Sequence, residues 1–229
     1  MPSALAKVLR DQRDLLLFRS IKPDLEHHER LYFAWGFLAT WLAGIGRYWD
    51  HPNAAWWQYL GLGSIGYVFV MALLIWAIAA LLKPANWSYR NVLLFVTFTS
   101  LPAILYAIPV EKFLSLAAAQ TANVIFLAVV ATWRVALLMR YLLTAARLSP
   151  GETMVAGLLP LALVVSLLVV LNLEKAVFEI MGGNMQPTQN DAAYAILMLI
   201  SLLSVVASPV LLLAYAVMAS RAQPRGPSP

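Results

Sequence analysis

The sequence predicts an all-α, polytopic transmembrane helical bundle of about six spans, with both termini cytoplasmic and an N-terminal amphipathic interfacial helix. Three observations predict it. Hydrophobic residues make up 62% of the 229 and charged residues only 12%, about half the share usual in a soluble domain. The charges fall in short clusters, and the gaps between them approach the roughly twenty residues that carry a helix across the hydrocarbon core. No stretch alternates apolar and polar with period two, as a membrane barrel would. Backbone groups in lipid must be satisfied within the segment, which leaves helices.

Residues 1–30 form a cytoplasmic juxtamembrane segment, 31–219 the membrane domain and 220–229 a disordered cytoplasmic tail. The first thirty residues carry eleven charges and lack the apolar core and cleavage site of a secretory signal. Within 3–19, Leu5, Val8, Leu9, Leu15 and Leu16 share one helical face, while Lys7, Arg10, Asp11 and Asp14 lie opposite. Such a helix beside a membrane lies in the interface or docks onto a partner. The spans follow at about 31–46, 61–82, 91–109, 117–139, 154–172 and 192–219, with Pro84, Pro150 and Pro187 in the connections. Residues 173–182 read as a short interfacial helix. No internal repeat is evident.

Lys and Arg in alternate connections give the orientation. Lys7, Arg10, Arg13, Arg19, Lys22, Arg30, Lys83, Arg90, Arg140, Arg147, Arg221 and Arg225 fall on one side, and Arg47, Lys112 and Lys175 on the other. The positive-inside rule places both termini in the cytoplasm. The net charge of +5 therefore reports topology, and no nucleic-acid partner is expected. A bacterial inner membrane is the expected location.

The densest polar cluster is GIGRYWDHPNAAWW, 44–57, on the outer side between the first two spans. Its Trp and Tyr rings suit the headgroup level, and Asp50-His51-Pro52-Asn53 is turn chemistry. Against this anchored-turn reading stands convergence of Arg47, Asp50 and His51 on a ligand or proton path. GLGSIG, 61–66, matches the dinucleotide fingerprint in letters only, because it opens a membrane span rather than a βαβ unit. Gly36, Thr40 and Gly44, at i, i+4 and i+8, form a stripe that lets helices approach closely and makes self-association reasonable.

DLEHHER, 24–30, offers neighbouring histidines that point about 100° apart, too few convergent ligands for a metal. Arg134 is the one charge expected inside a span, at a cost of about 2.5–3.5 kcal/mol if held at the helix centre. Two readings stand for it. It snorkels toward Arg140, about 9 Å away along the helix, or it serves a ligand, with Gln120, Asn123, Thr97 and Thr99 as polar neighbours. Glu111, Glu174, Glu179 and Asp191 read as solvated outer charges. With no cysteine, thiolate chemistry is excluded, and no cofactor is implied.

Residues 89–171 carry YRNVLLFVTFTSLPAILYAIP, then TWRVALLMRYLL, then ARLSPGETMVAGLLPLAL. This order of a proline-bearing span, a Trp-containing span and a Ser-headed helix resembles the membrane domain of the Yip1-like family. The resemblance implies a non-enzymatic membrane protein. Eukaryotic members engage small GTPases in vesicle traffic, and bacterial members are largely of unassigned function. The short acidic-aromatic-glycine-proline signature of the eukaryotic members is absent, and six spans stand where the family usually has five. No binding residue of the family maps onto a position here.

The function expected is that of a non-enzymatic interaction, scaffold or assembly partner in the lipid bilayer, working with a membrane-protein partner or another copy of itself. The alternative is a small permease or lipid-handling carrier with a polar cavity reaching Arg134, opened by Pro102, Pro109, Pro160 and Pro209. A membrane-embedded enzyme using Arg47, Asp50 and His51 comes third.

Overall fold

The computed structural model describes residues 3–49, 54–173 and 191–224. Among these every regular element is a helix. In chain order they are α1 (Ala4–Leu16), α2 (Leu25–Gly46), α3 (Trp56–Tyr59), α4 (Leu62–Ala80), α5 (Tyr89–Phe98), two 3-10 segments (Leu101–Ala107 and Val110–Lys112), α6 (Leu116–Thr144), α7 (Pro150–Val170) and α8 (Asp191–Arg221). Five stretches are long and apolar enough to cross a membrane: Leu62–Ala80, Tyr89–Lys112, Ala117–Thr144, Pro150–Val170 and Met198–Arg221. The chain is therefore a multi-pass integral membrane protein by length and composition. The stretch expected as a first span lies in α2, which is not among the five; its first two turns hold Glu26, Glu29 and Arg30.

Local sequence sets the helix ends. Ser3 accepts the Ala6 N–H at 3.2 Å to start α1, and Asp24 accepts the His27 N–H at 3.3 Å to start α2. At α7, Ser149 and Glu152 form a reciprocal capping box with Pro150 in the first turn, so two otherwise orphaned N–H groups are satisfied and the proline's missing one does no harm.

Contacts fix the relative directions. Gly36 lies against Thr97 and Phe98, and Gly46 against Ala107, so α2 runs parallel to the 89–112 segment. Gly44 lies against Ser64 and the Gly61 carbonyl, and Phe37 stacks on Phe69, so α4 returns antiparallel to α2. Val68, Ala72, Ile75 and Ala79 form the buried stripe of α4, and α5 is buried from Val92 to Phe98. On the far side α8 runs along α7, with Ser166 and Ser208 hydroxyls 2.9 Å apart. The Tyr215 hydroxyl donates to the Ile78 carbonyl at 2.6 Å. The bundle thus has one end near Arg47 and Glu111 and another near Arg90 and Arg140.

Two features differ from the sequence reading. The third span is not one helix. It breaks after Phe98 and continues as 3-10 turns, because Pro102 has no N–H to offer the Phe98 carbonyl four residues back and its ring crowds that turn. Nor does α1 lie wholly on the bilayer surface. Val8, Gln12 and Leu15 are buried against the bundle, while Leu5 and Leu9, further round the same apolar face, stay exposed. The short helix expected over 173–182 lies outside the described residues but for Leu173.

Candidate functional site

Two polar constellations stand out in the apolar bundle. The first is the seat of α1. The Phe98 carbonyl, left without its helical donor by Pro102, accepts from Gln12 Nε2 at 3.1 Å. Gln12 Oε1 in turn accepts from the Trp35 indole at 2.7 Å, and the side chain is only 2% exposed. The Trp133 indole donates to the Leu16 carbonyl at 3.0 Å, tying the C-terminal turn of α1 to α6. Nearer the surface, the Tyr32 hydroxyl donates to Asp11 and accepts from Lys7 at 3.1 Å. α1 is thus held by groups on α2, α5 and α6.

The second constellation gathers Arg134. Its guanidinium lies over the Tyr67 ring of α4, 5.5 Å from the centroid. Tyr106, in the 3-10 continuation of the third span, lies within electrostatic reach of Arg134, Arg47 and Tyr67. Arg47, just beyond α2, is 5.2 Å from the Tyr106 centroid and 5.6 Å from that of Tyr48. Four elements therefore contribute, and the two guanidiniums share one aromatic neighbourhood. Cation–π attraction of this kind is worth about 0.5–2 kcal/mol.

The direction of Arg134 corrects the snorkelling expectation. Side chains on a helix lean toward its N-terminus, and α6 starts at the Glu111 end. Tyr67 lies only five residues past the start of α4. The guanidinium is therefore turned toward the Arg47 end, away from Arg140.

The other expected partners lie elsewhere. Asn123 donates to Glu111 at 2.6 Å, and Gln120 is buried a turn nearer the start of α6. Asn123 lies about 16 Å and Gln120 about 21 Å along the helix from Arg134. The Thr97 and Thr99 hydroxyls donate to the carbonyls of Leu94 and Val96, at 2.9 and 3.0 Å. Asp50 and His51 are outside the described residues, as are Glu174 and Glu179. Around that loop, Trp49 donates to the Ala107 carbonyl at 3.0 Å and carries Lys112 over its ring at 4.4 Å.

The Gly36–Thr40–Gly44 stripe is filled from within the chain. Gly36 faces Thr97, Thr40 is buried with its hydroxyl on the Gly36 carbonyl at 2.9 Å, and Gly44 faces Ser64. Among the described residues no group of three or more His, Asp or Glu side chains is placed to hold a metal ion.

Sequence reasoning had not singled out Gln12, Trp35, Tyr67 and Tyr106. Gln12 carried a signal, since it interrupts the apolar face between Val8 and Leu15; the two tyrosines carried none. Comparison with known proteins finds no match to any protein-family model, curated protein or solved structure.

Proposed function

We propose that this chain is a six-span, non-enzymatic inner-membrane protein with both termini cytoplasmic, acting as a scaffold or assembly partner and related to the Yip1-like proteins through residues 89–171. One observation carries the scaffold reading. The N-terminal segment is bolted into the bundle through Gln12, Trp35 and Trp133, with Val8, Tyr32, Phe98, Leu137 and Leu142 packed in the interior. The positively charged face and the membrane domain then move as one body, which suits a surface that partners assemble upon. The sixth span is α2 beyond its kink at His28, where residues 29–46 reach about 27 Å and run beside two apolar spans.

The carrier is the second reading, favoured by the turn of Arg134 toward Tyr67 and Arg47 instead of the nearer helix end.

The chain has no native cysteine, so single cysteines can be placed at will. Ser3→Cys and Ala54→Cys are labelled with a membrane-impermeant thiol reagent in sealed vesicles of each orientation. Labelling from opposite sides supports α2 as a span, and labelling from the same side removes it. Cysteines at positions 120, 123, 127, 134 and 138 then separate the readings. Labelling confined to 120 and 123 supports a packed scaffold, whereas labelling at 127 and 134 means water reaches mid-span and replaces the scaffold with the carrier.

A further inference from the structure

We propose that Arg134, with Tyr67, Tyr106 and Arg47, forms a binding site for the phosphate of an anionic membrane lipid, entered from the bilayer between α4 and α6. The inference rests on α4 and α6 lying in the membrane and holds whether the protein is scaffold or carrier.

Arg134 is half-buried in an apolar helix, and among the described residues its five N–H donors meet no acceptor. A ring face attracts the charge but accepts almost none of the hydrogen bonds that a guanidinium offers. A planar fork with its donors unspent is the geometry that takes phosphate oxygens in pairs. The field has the matching sign. The charged groups acting on Tyr106 are the guanidiniums of Arg47 and Arg134. The Tyr106 and Tyr67 hydroxyls can each donate to the same anion.

Access points to a lipid. Tyr67 is 45% exposed and Val70, one turn further along the same face of α4, is 65% exposed, so the aromatic floor of the site opens sideways onto an apolar surface. Tyr67 lies about 7.5 Å of helix rise from the α4 start, a depth at which a headgroup can meet the guanidinium while its acyl chain follows Val70 and Leu73. A freely diffusing phosphate would share the headgroup chemistry but would gain nothing from that apolar surface.

The test uses the full chain purified in mild detergent, stripped of lipid and titrated separately with phosphatidylglycerol, phosphatidylcholine and glycerol phosphate. Binding is read by native mass spectrometry. The wild type is expected to retain phosphatidylglycerol in preference to the other two. Arg134→Gln should weaken that binding about tenfold, the loss of one charge-assisted contact, while Arg221→Gln at the far end of α8 leaves it unchanged. Arg134→Lys keeps the charge but not the fork, and an intermediate loss is expected; it also serves if the glutamine variant fails to fold. Equal phosphatidylglycerol binding by wild type and both Arg134 variants overturns the site. Glycerol phosphate binding as tightly as the lipid overturns the lipid as its ligand.

Discussion

Replacing Gln12 with leucine removes two hydrogen bonds at once, one to a buried carbonyl and one to a half-buried indole. The Phe98 carbonyl loses the donor that stands in for the N–H Pro102 lacks, at 3.1 Å, and the Trp35 indole loses its acceptor at 2.7 Å. The orphaned buried carbonyl costs about 1–3 kcal/mol and the half-buried indole less, so the docking of α1 should weaken by about 2–4 kcal/mol. Even about 2 kcal/mol is nearly thirtyfold in an opening equilibrium. Leucine is close to glutamine in volume, so little of that loss comes from a cavity. Hydrogen exchange across residues 4–16 in detergent is the assay, because opening of α1 is local and need not unfold the bundle. The origin of the effect is checked with Pro102→Ala, which supplies an N–H four residues beyond Phe98. In a double-mutant cycle the Gln12→Leu penalty should shrink by about 1 kcal/mol or more in the Pro102→Ala background. Unchanged exchange in Gln12→Leu would refute the docking role, and strict additivity with Pro102→Ala would refute the account of the vacant carbonyl.

Gly44→Ala places a methyl 2.7 Å from Ser64 Oγ and 2.8 Å from its Cβ, so thermal stability in detergent should fall by about 1–3 kcal/mol, with partial recovery in Gly44→Ala/Ser64→Gly. Ahead of the α2 span, the hydrogen bond and charge of Asp24 hold His27 above its ordinary pKa. The stabilisation this pair contributes is present below the ordinary histidine pKa and is lost as pH rises through the raised one. NMR titration should show His27 returning toward its ordinary value in Asp24→Asn, and no downward shift would remove the pair.

What the sequence revealed divides along physical lines. Membrane spans depend on runs of apolar residues, and runs are visible in one dimension; the five apolar spans follow from local composition. The break in the third span was half legible. Pro102 was visible, but whether a proline kinks or ends a helix depends on what satisfies the carbonyl four residues back, and here that is Gln12, 86 positions away. The α1 face was legible as apolar, yet composition cannot say that Val8 and Leu15 meet protein while Leu5 and Leu9 stay exposed. The site around Arg134 was least legible. Its charge drew notice, but its rings come from α4 and from a segment whose helical phase changes at the break.

That change of phase links the two constellations. A 3-10 turn rises about 2.0 Å per residue against about 1.5 Å in an α-helix, so the seven residues of Leu101–Ala107 reach about 14 Å where an α-helix would reach about 10.5 Å. They also advance about 20° more per residue. Across the five steps from Leu101 to Tyr106 that turns the tyrosine by about 100°. One proline therefore frees the carbonyl that seats α1 and swings Tyr106 into the neighbourhood of Arg47 and Arg134. Pro102→Ala should consequently act at both places with opposite sign. It should relieve the dependence of α1 on Gln12, and by drawing Tyr106 back it should weaken the phosphatidylglycerol binding assigned to Arg134. A Pro102→Ala protein that loses neither property would mean that packing, and not the missing N–H, shapes the third span.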